Sequence, residues 1–175
     1  MRSFLVFLNE IMAVEFSIES NSEAETRAIA RKLARYFHSG DVIILDGDLG
    51  AGKTYFVKGF SDGFHSIDLV SSPTFSIANF YGTTAVDILH IDLYRISTVE
   101  EFNDLGLQDY FNQSIVLVEW GKKFASFFED YLLISFEIHE RGNEGCRTLT
   151  FSYIGNKYKP IMGELKKTLK GKELC

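Results

Sequence analysis

Apolar and polar positions along the chain fall into two rhythms. Val42-Ile43-Ile44-Leu45 is apolar without a break between Asp41 and Asp46. A short unbroken run of this kind suits a central strand covered on both faces. Ile115-Val116-Leu117-Val118, ahead of Glu119, repeats the pattern. Residues 14–18, 75–81 and 86–93 read as further strands, the second following a loop interrupted by Pro73. Residues 132–139 and 147–154 both alternate with a period of two. The Arg-Gly-Asn-Glu-Gly stretch between them has turn composition, which predicts an antiparallel hairpin.

The helical rhythm fills the intervals. Ala28, Ile29, Leu33 and Phe37 recur at helical spacing. Ser20, Asn21 or Ser22 can cap that helix, Glu23 and Glu25 suit its positive end, and His38-Ser39-Gly40 stops it. A second helix is predicted from about residue 53 to 64. Helical turns follow at 99–102 and 108–111, a short helix through residue 127, and a closing helix over 159–170. The fold class is α/β: a mixed sheet with helices on both faces and the hairpin adding antiparallel strands at one edge.

The 175 residues fit one domain, read as 12–175, with residues 1–11 as an N-terminal extension. No apolar stretch is long enough to span a membrane. Cys146 and Cys175 are too far apart in sequence for a zinc spacing and make no disulfide framework, so a reducing cytoplasm is the expected compartment. The net charge of −6 argues against a broad nucleic-acid-binding face. From Lys157 onward the balance is +4, against −10 in the remainder. The simpler reading of this basic end is the solvated face of a terminal helix; the alternative is contact with RNA or an acidic partner.

The candidate chemistry begins directly after the first central strand. Gly47-Asp48-Leu49-Gly50-Ala51-Gly52-Lys53-Thr54 satisfies every fixed position of the phosphate-binding loop G-x-x-x-x-G-K-[ST]. Glycines allow successive backbone N–H groups to face one cavity. The helix that follows offers its free N–H groups to an anion. Lys53 can reach the outer phosphates of a nucleoside triphosphate, and the Thr54 hydroxyl can bind magnesium. Tyr55, next in line, is counted with this set. The architecture is therefore a P-loop NTPase-like α/β sheet.

Magnesium needs a further carboxylate, and an apolar strand beside the loop should deliver it. Asp92 and Glu119 both end such strands. Glu119 follows the cleaner run and is preferred for the metal; Asp92 would then orient or deprotonate a water. The two roles remain exchangeable. Thr74, in the loop Ser71-Ser72-Pro73-Thr74, can sense a γ-phosphate as switch loops do. His38, His65, His90 and His139 form no pair with metal spacing, and His90 reads as a strand residue. Trp120 follows Glu119 and either walls the site or packs.

Five strings occur in order: the loop at 47–54, Ser72-Pro73-Thr74-Phe75, Asp92-Leu93-Tyr94-Arg95, Gly106-Leu107 with Tyr110-Phe111, and Val118-Glu119-Trp120. Together they resemble the TsaE (YjeE) family of bacterial ATPases in the tRNA threonylcarbamoyladenosine (t6A) pathway. The resemblance runs from about residue 14 to 151. It implies binding and hydrolysis of ATP with Mg2+, work with the partner proteins TsaD and TsaB, and an indirect connection to tRNA. It also implies magnesium on Thr54 and Glu119, a hydrolysis-critical acid at Asp92, a switch threonine at Thr74, and an early helix near Thr26 beside the adenine. Tyr55 departs from the family, which often has a second threonine there. The free chain is expected to be a monomer.

The competing class is a small-molecule kinase with a P-loop, which needs an acceptor pocket and an arginine-rich lid. The seven arginines here are dispersed. A GTPase switch would carry Asn-Lys-x-Asp, and that string is missing from the sequence. A scaffold that holds nucleotide without turning it over remains as a third class.

Overall fold

The computed structural model describes residues 14–139 and 146–170. The expectations for residues 1–11 and for the 141–145 turn lie outside them. The described residues form seven strands: β1 (Val14–Ser20), β2 (Val42–Gly47), β3 (Ala78–Tyr81), β4 (Asp87–Asp92), β5 (Ser114–Glu119), β6 (Tyr131–His139) and β7 (Cys146–Ile154). They make one sheet in the order β1-β7-β6-β2-β5-β4-β3. β2 pairs parallel with both β5 and β6, and β4 parallel with β5, while the remaining pairings are antiparallel. The helices are α1 (Glu23–Ala34), α2 (Lys53–Gly63), α3 (Val99–Asp104) and α4 (Lys159–Lys170), with 3-10 turns at Leu107–Tyr110 and Gly121–Phe127.

The unbroken apolar runs are central strands because each supplies side chains to both faces. Ile43 and Leu45 of β2, with Ile115 and Leu117 of β5, join a core built with α1, α2 and α4. Val42, Ile44, Val116 and Val118 join a second core on the opposite face with Phe102, Phe124 and Phe128. The same two-residue period puts Ile88, His90 and Asp92 of β4 on the α2 face, along with Glu119 of β5. At the base of the sheet, buried Tyr158 ties α4 to the start of β2. Its hydroxyl accepts from Val42 N at 2.8 Å, and burial raises it well above the ordinary phenol range.

α1 begins where the acidic first turn predicts, with Glu25 N donating to the Ser22 hydroxyl. Its buried stripe is Thr26, Ile29, Ala30, Leu33 and Ala34. Ala28 faces solvent, and Phe37 is buried from the turn beyond the helix. The small residues of this stripe let α2 approach closely. A Cβ on Gly59 would lie 2.2 Å from Arg27 O, and one on Gly63 would lie 2.4 Å from Ala34 Cβ.

Three expectations need adjustment. The hairpin strands β6 and β7 pair as predicted, but β1 lies outside them and forms the sheet edge, antiparallel to β7. β3 begins at Ala78 and not at residue 75. Ile77 there has φ of 68°, its N–H donates to Pro73 O, and Phe75 is left exposed. The turn breaks strand geometry in spite of the apolar sequence. α1 ends at Ala34, four residues ahead of His38. Among the described residues no helix is long and apolar enough to cross a membrane.

The α1–α2 contact makes a direct test. Gly59→Ala should lower stability by about 1–3 kcal/mol in urea denaturation, because the opposing atoms are backbone and cannot swing aside. Gly163→Ala, on the open face of α4 with nothing within 4 Å of the added carbon, should instead be neutral or slightly stabilising.

Candidate functional site

Strand direction decides where chemistry can gather. β2, β4 and β5 are parallel, so their carboxyl ends meet at one edge, where open α/β sheets hold ligands. Gly47, Asp92 and Glu119 are the last residues of these three strands. Glu119 is in register with Leu45 on one side and Asp92 on the other.

Beyond Gly47 the chain makes a tight turn into α2. Gly47, Gly50 and Gly52 have φ of 141°, 80° and 101°. At Gly52 the left-handed backbone disfavours a side chain, and a Cβ there would displace Arg147 Nη1, which would lie 2.2 Å away. Arg147 belongs to β7, is buried, and donates to Ala51 O at 3.4 Å. The hairpin thus buttresses the turn from behind. No motif flagged this arginine for that task.

Lys53 is the first residue of α2, and its side chain folds back over the turn. Nζ donates to Gly47 O at 2.6 Å and Asp48 O at 2.9 Å, and lies 4.1 Å from the centre of the Trp120 ring. Burial lowers the Lys53 pKa from the ordinary lysine value, while Glu119, Asp92, Asp46 and Asp48 pull it back up. The ammonium is the positive centre of an acidic surround. Trp120 holds its ring there from a left-handed backbone position, φ 61°, with Tyr94 against it at 5.1 Å.

A cavity of about 370 Å³ opens above the turn. Residues 49–55 line one side; Ser72, Thr74, Asp92, Tyr94, Glu119 and Trp120 line the other. The Thr54 hydroxyl donates to Glu119 Oε1 at 2.9 Å. Thr74 donates to Asp92 Oδ2 at 2.7 Å, and the other oxygen, Oδ1, accepts from Tyr94 N at 2.9 Å. Ser72 and Thr74 hydroxyls are 2.7 Å apart. Lys53, Thr54, Thr74, Asp92 and Glu119 therefore converge, as does Tyr55 at the cavity wall. Gly47 and Asp48 serve through the carbonyls that hold Lys53.

Thr26 does not join them. It is fully buried in the first turn of α1, where its hydroxyl bonds Ser20 at 2.8 Å and Ser22 O at 3.2 Å. The Thr26 side chain has no exposed surface at the cavity and anchors α1 to β1. Two further residues escaped the sequence reading. Tyr94 lines the cavity, and His90 bonds Glu119 Oε1 through Nε2 at 2.9 Å. The available signal was parity, since His90 lies two residues before Asp92 on one strand and so shares its face.

A parallel central strand, a glycine-rich turn and a helix opened by Lys-Thr, with acids from two neighbouring strand ends, define an α/β protein of the P-loop type. The family described as "Threonylcarbamoyl adenosine biosynthesis protein TsaE" matches residues 20–148. The chain belongs to the TsaE family. It is 40% identical over 145 residues to the tRNA threonylcarbamoyladenosine biosynthesis protein TsaE of Bacillus subtilis, covering 82% of this chain and 89% of that one. It is 33% identical to the TsaE of Treponema pallidum, covering 71% and 93%. The crystal structure of Bacillus subtilis YdiB superposes with a TM-score of 0.71 at 33% identity, covering 87% and 94%.

Proposed function

We propose that the chain binds ATP with magnesium at the 47–54 turn and hydrolyses it, in support of the partner proteins TsaB and TsaD in t6A modification of tRNA. The observation that carries this reading is the Thr54–Glu119 pair beside Lys53. The Thr54 hydroxyl donates to Glu119 Oε1 at 2.9 Å, which sets a hydroxyl and a carboxylate oxygen side by side next to Lys53, and both are ligand types that magnesium takes beside phosphate. Among the described residues no cluster of three or more His, Cys, Asp or Glu could hold a metal alone. Phosphate oxygens and water would complete the set, as is usual for magnesium.

The residues divide the work by chemistry. Backbone N–H groups of the turn and the start of α2 bind the phosphate chain. The Lys53 ammonium exchanges its two carbonyl partners for phosphate oxygens. Thr54 and Glu119 would hold the metal, which would supply positive charge against the phosphates. Asp92 orients the attacking water and takes its proton, and Thr74 brings the 71–74 loop to the outermost phosphate. Arg95 lies with its guanidinium 5.9 Å from the Phe75 ring at the loop. The described arginines form no lid, so the hydrolytic reading is preferred to the kinase.

Calorimetry with ATP and magnesium should show binding by the full chain, and Lys53→Ala should abolish it. Asp92→Asn should retain affinity within a few-fold while phosphate release falls about 100-fold or more; normal release would remove Asp92 from the mechanism. The isolated chain should turn over slowly, and a TsaB–TsaD mixture should capture it and raise turnover at least several-fold. Rapid hydrolysis by the chain alone, with no response to the pair, would defeat the partner assignment.

A further inference from the structure

We propose that Tyr81 and His90, neither of which lines the cavity, are positioning residues that couple the 71–74 loop to Glu119 and thereby set how strongly magnesium strengthens nucleotide binding. The magnesium part of this inference rests on the function proposed above; the mechanical part does not.

The coupling is a continuous line of hydrogen bonds across three strands. Tyr81, the last residue of β3, donates its hydroxyl to Ser71 O at 2.8 Å. The same oxygen lies 3.2 Å from His90 Nδ1. His90 Nε2 lies 2.9 Å from Glu119 Oε1, which also accepts from Thr54. His90 is fully buried, and Tyr81 and Glu119 are 3% and 4% exposed. Sheet register produces this arrangement. Asn79 is directly opposite His90, so Tyr81 reaches His90 on the diagonal, within range of an aromatic side chain. His90 in turn is opposite Leu117, and Glu119 is its diagonal neighbour on the other side.

A phenol has one proton, and a carbonyl and a carboxylate only accept. With the Tyr81 proton on Ser71 O, Tyr81 Oη accepts from His90 Nδ1–H, and the contact with Glu119 then takes a second ring proton, on Nε2. With one ring proton, on Nε2, His90 donates to Glu119 and accepts at Nδ1 from the Tyr81 hydroxyl. Either arrangement links Tyr81 to Glu119 through the ring. Burial raises the Tyr81 pKa, so the hydroxyl keeps its proton at neutral pH. Asn79 Nδ2 also approaches Tyr81 Oη at 3.4 Å and Ser71 O at 3.5 Å, both weaker contacts. Moving one end of the line breaks a bond to the buried His90 ring or to the buried Glu119 carboxylate.

The loop is therefore held at two points by the two acids of the site. Its first residue is tied to Glu119 through Tyr81 and His90; its last, Thr74, is tied directly to Asp92. A Glu119 that turns to a cation must take His90 with it or break the line. The loop position and the carboxylate orientation are consequently one variable, not two.

The test uses the full chain and two variants, Tyr81→Phe, which removes one oxygen, and His90→Gln. Without nucleotide, hydrogen exchange at the Ile77 amide reports the loop, since that N–H donates to Pro73 O within it. Both variants should exchange there about 5–10-fold faster, with β2 and β5 amides unchanged. Calorimetry then gives the ATP affinity with magnesium and with EDTA. The ratio of the two should fall about 3–10-fold in each variant, while the EDTA value stays within twofold of the unsubstituted chain. Unchanged Ile77 exchange in both variants overturns the coupling. So does a uniform loss, in which both affinities and all strand amides weaken together, because that marks residues that only maintain the fold. If the unsubstituted chain binds no ATP, the proposed function fails, and the exchange experiment still decides the coupling.

Discussion

Parallel pairing of β2, β4 and β5 is the constraint from which the site follows. It brings three carboxyl ends to one edge, with Asp92 and Glu119 in register and Gly47 two residues beyond Leu45, the partner of Glu119 on β2. Had β4 run antiparallel to β5, Asp92 would stand at the far side of the sheet and the turn would face a single acid. The same pairing needs cover on both faces, which the chain meets with α1, α2 and α4 on one side and an aromatic cluster about Phe102 on the other. Two cores and one reactive edge are thus products of a single pairing scheme.

Within that edge, charge is organised around Lys53. Its burial disfavours the ammonium, and four neighbouring carboxylates favour it. Gly47 O, Asp48 O and the Trp120 face fix its position. The ammonium is thus preorganised beside the turn, and little rearrangement separates its present partners from an anionic ligand. The acids are held just as firmly. Both oxygens of Asp92 are engaged, and Glu119 Oε1 has Thr54 and His90. A site whose groups are locked by their neighbours presents one geometry to whatever enters.

Legibility in the sequence follows the physical range of each signal. Apolar runs on both faces marked β2 and β5, and glycine spacing ahead of Lys53-Thr54 marked the turn, because those patterns are local. Asp92 and Glu119 stood out as acids ending apolar strands. Strand order depends on contacts between distant segments, so β1 as the outer edge beyond the hairpin carried no local sign. The close fit of Gly59 and Gly63 against α1 required knowing which helix lay opposite. Ile77 with positive φ was unreadable for another reason: a β-branched residue rarely adopts that backbone.

The placement of Trp120 has one more consequence. It is the sole tryptophan of the chain, and its ring faces the Lys53 ammonium at 4.1 Å. Indole emission responds to a nearby charge, and no second indole dilutes the signal. The protein therefore carries an intrinsic optical gauge of where its key lysine stands, legible in plain buffer without a dye or an added label.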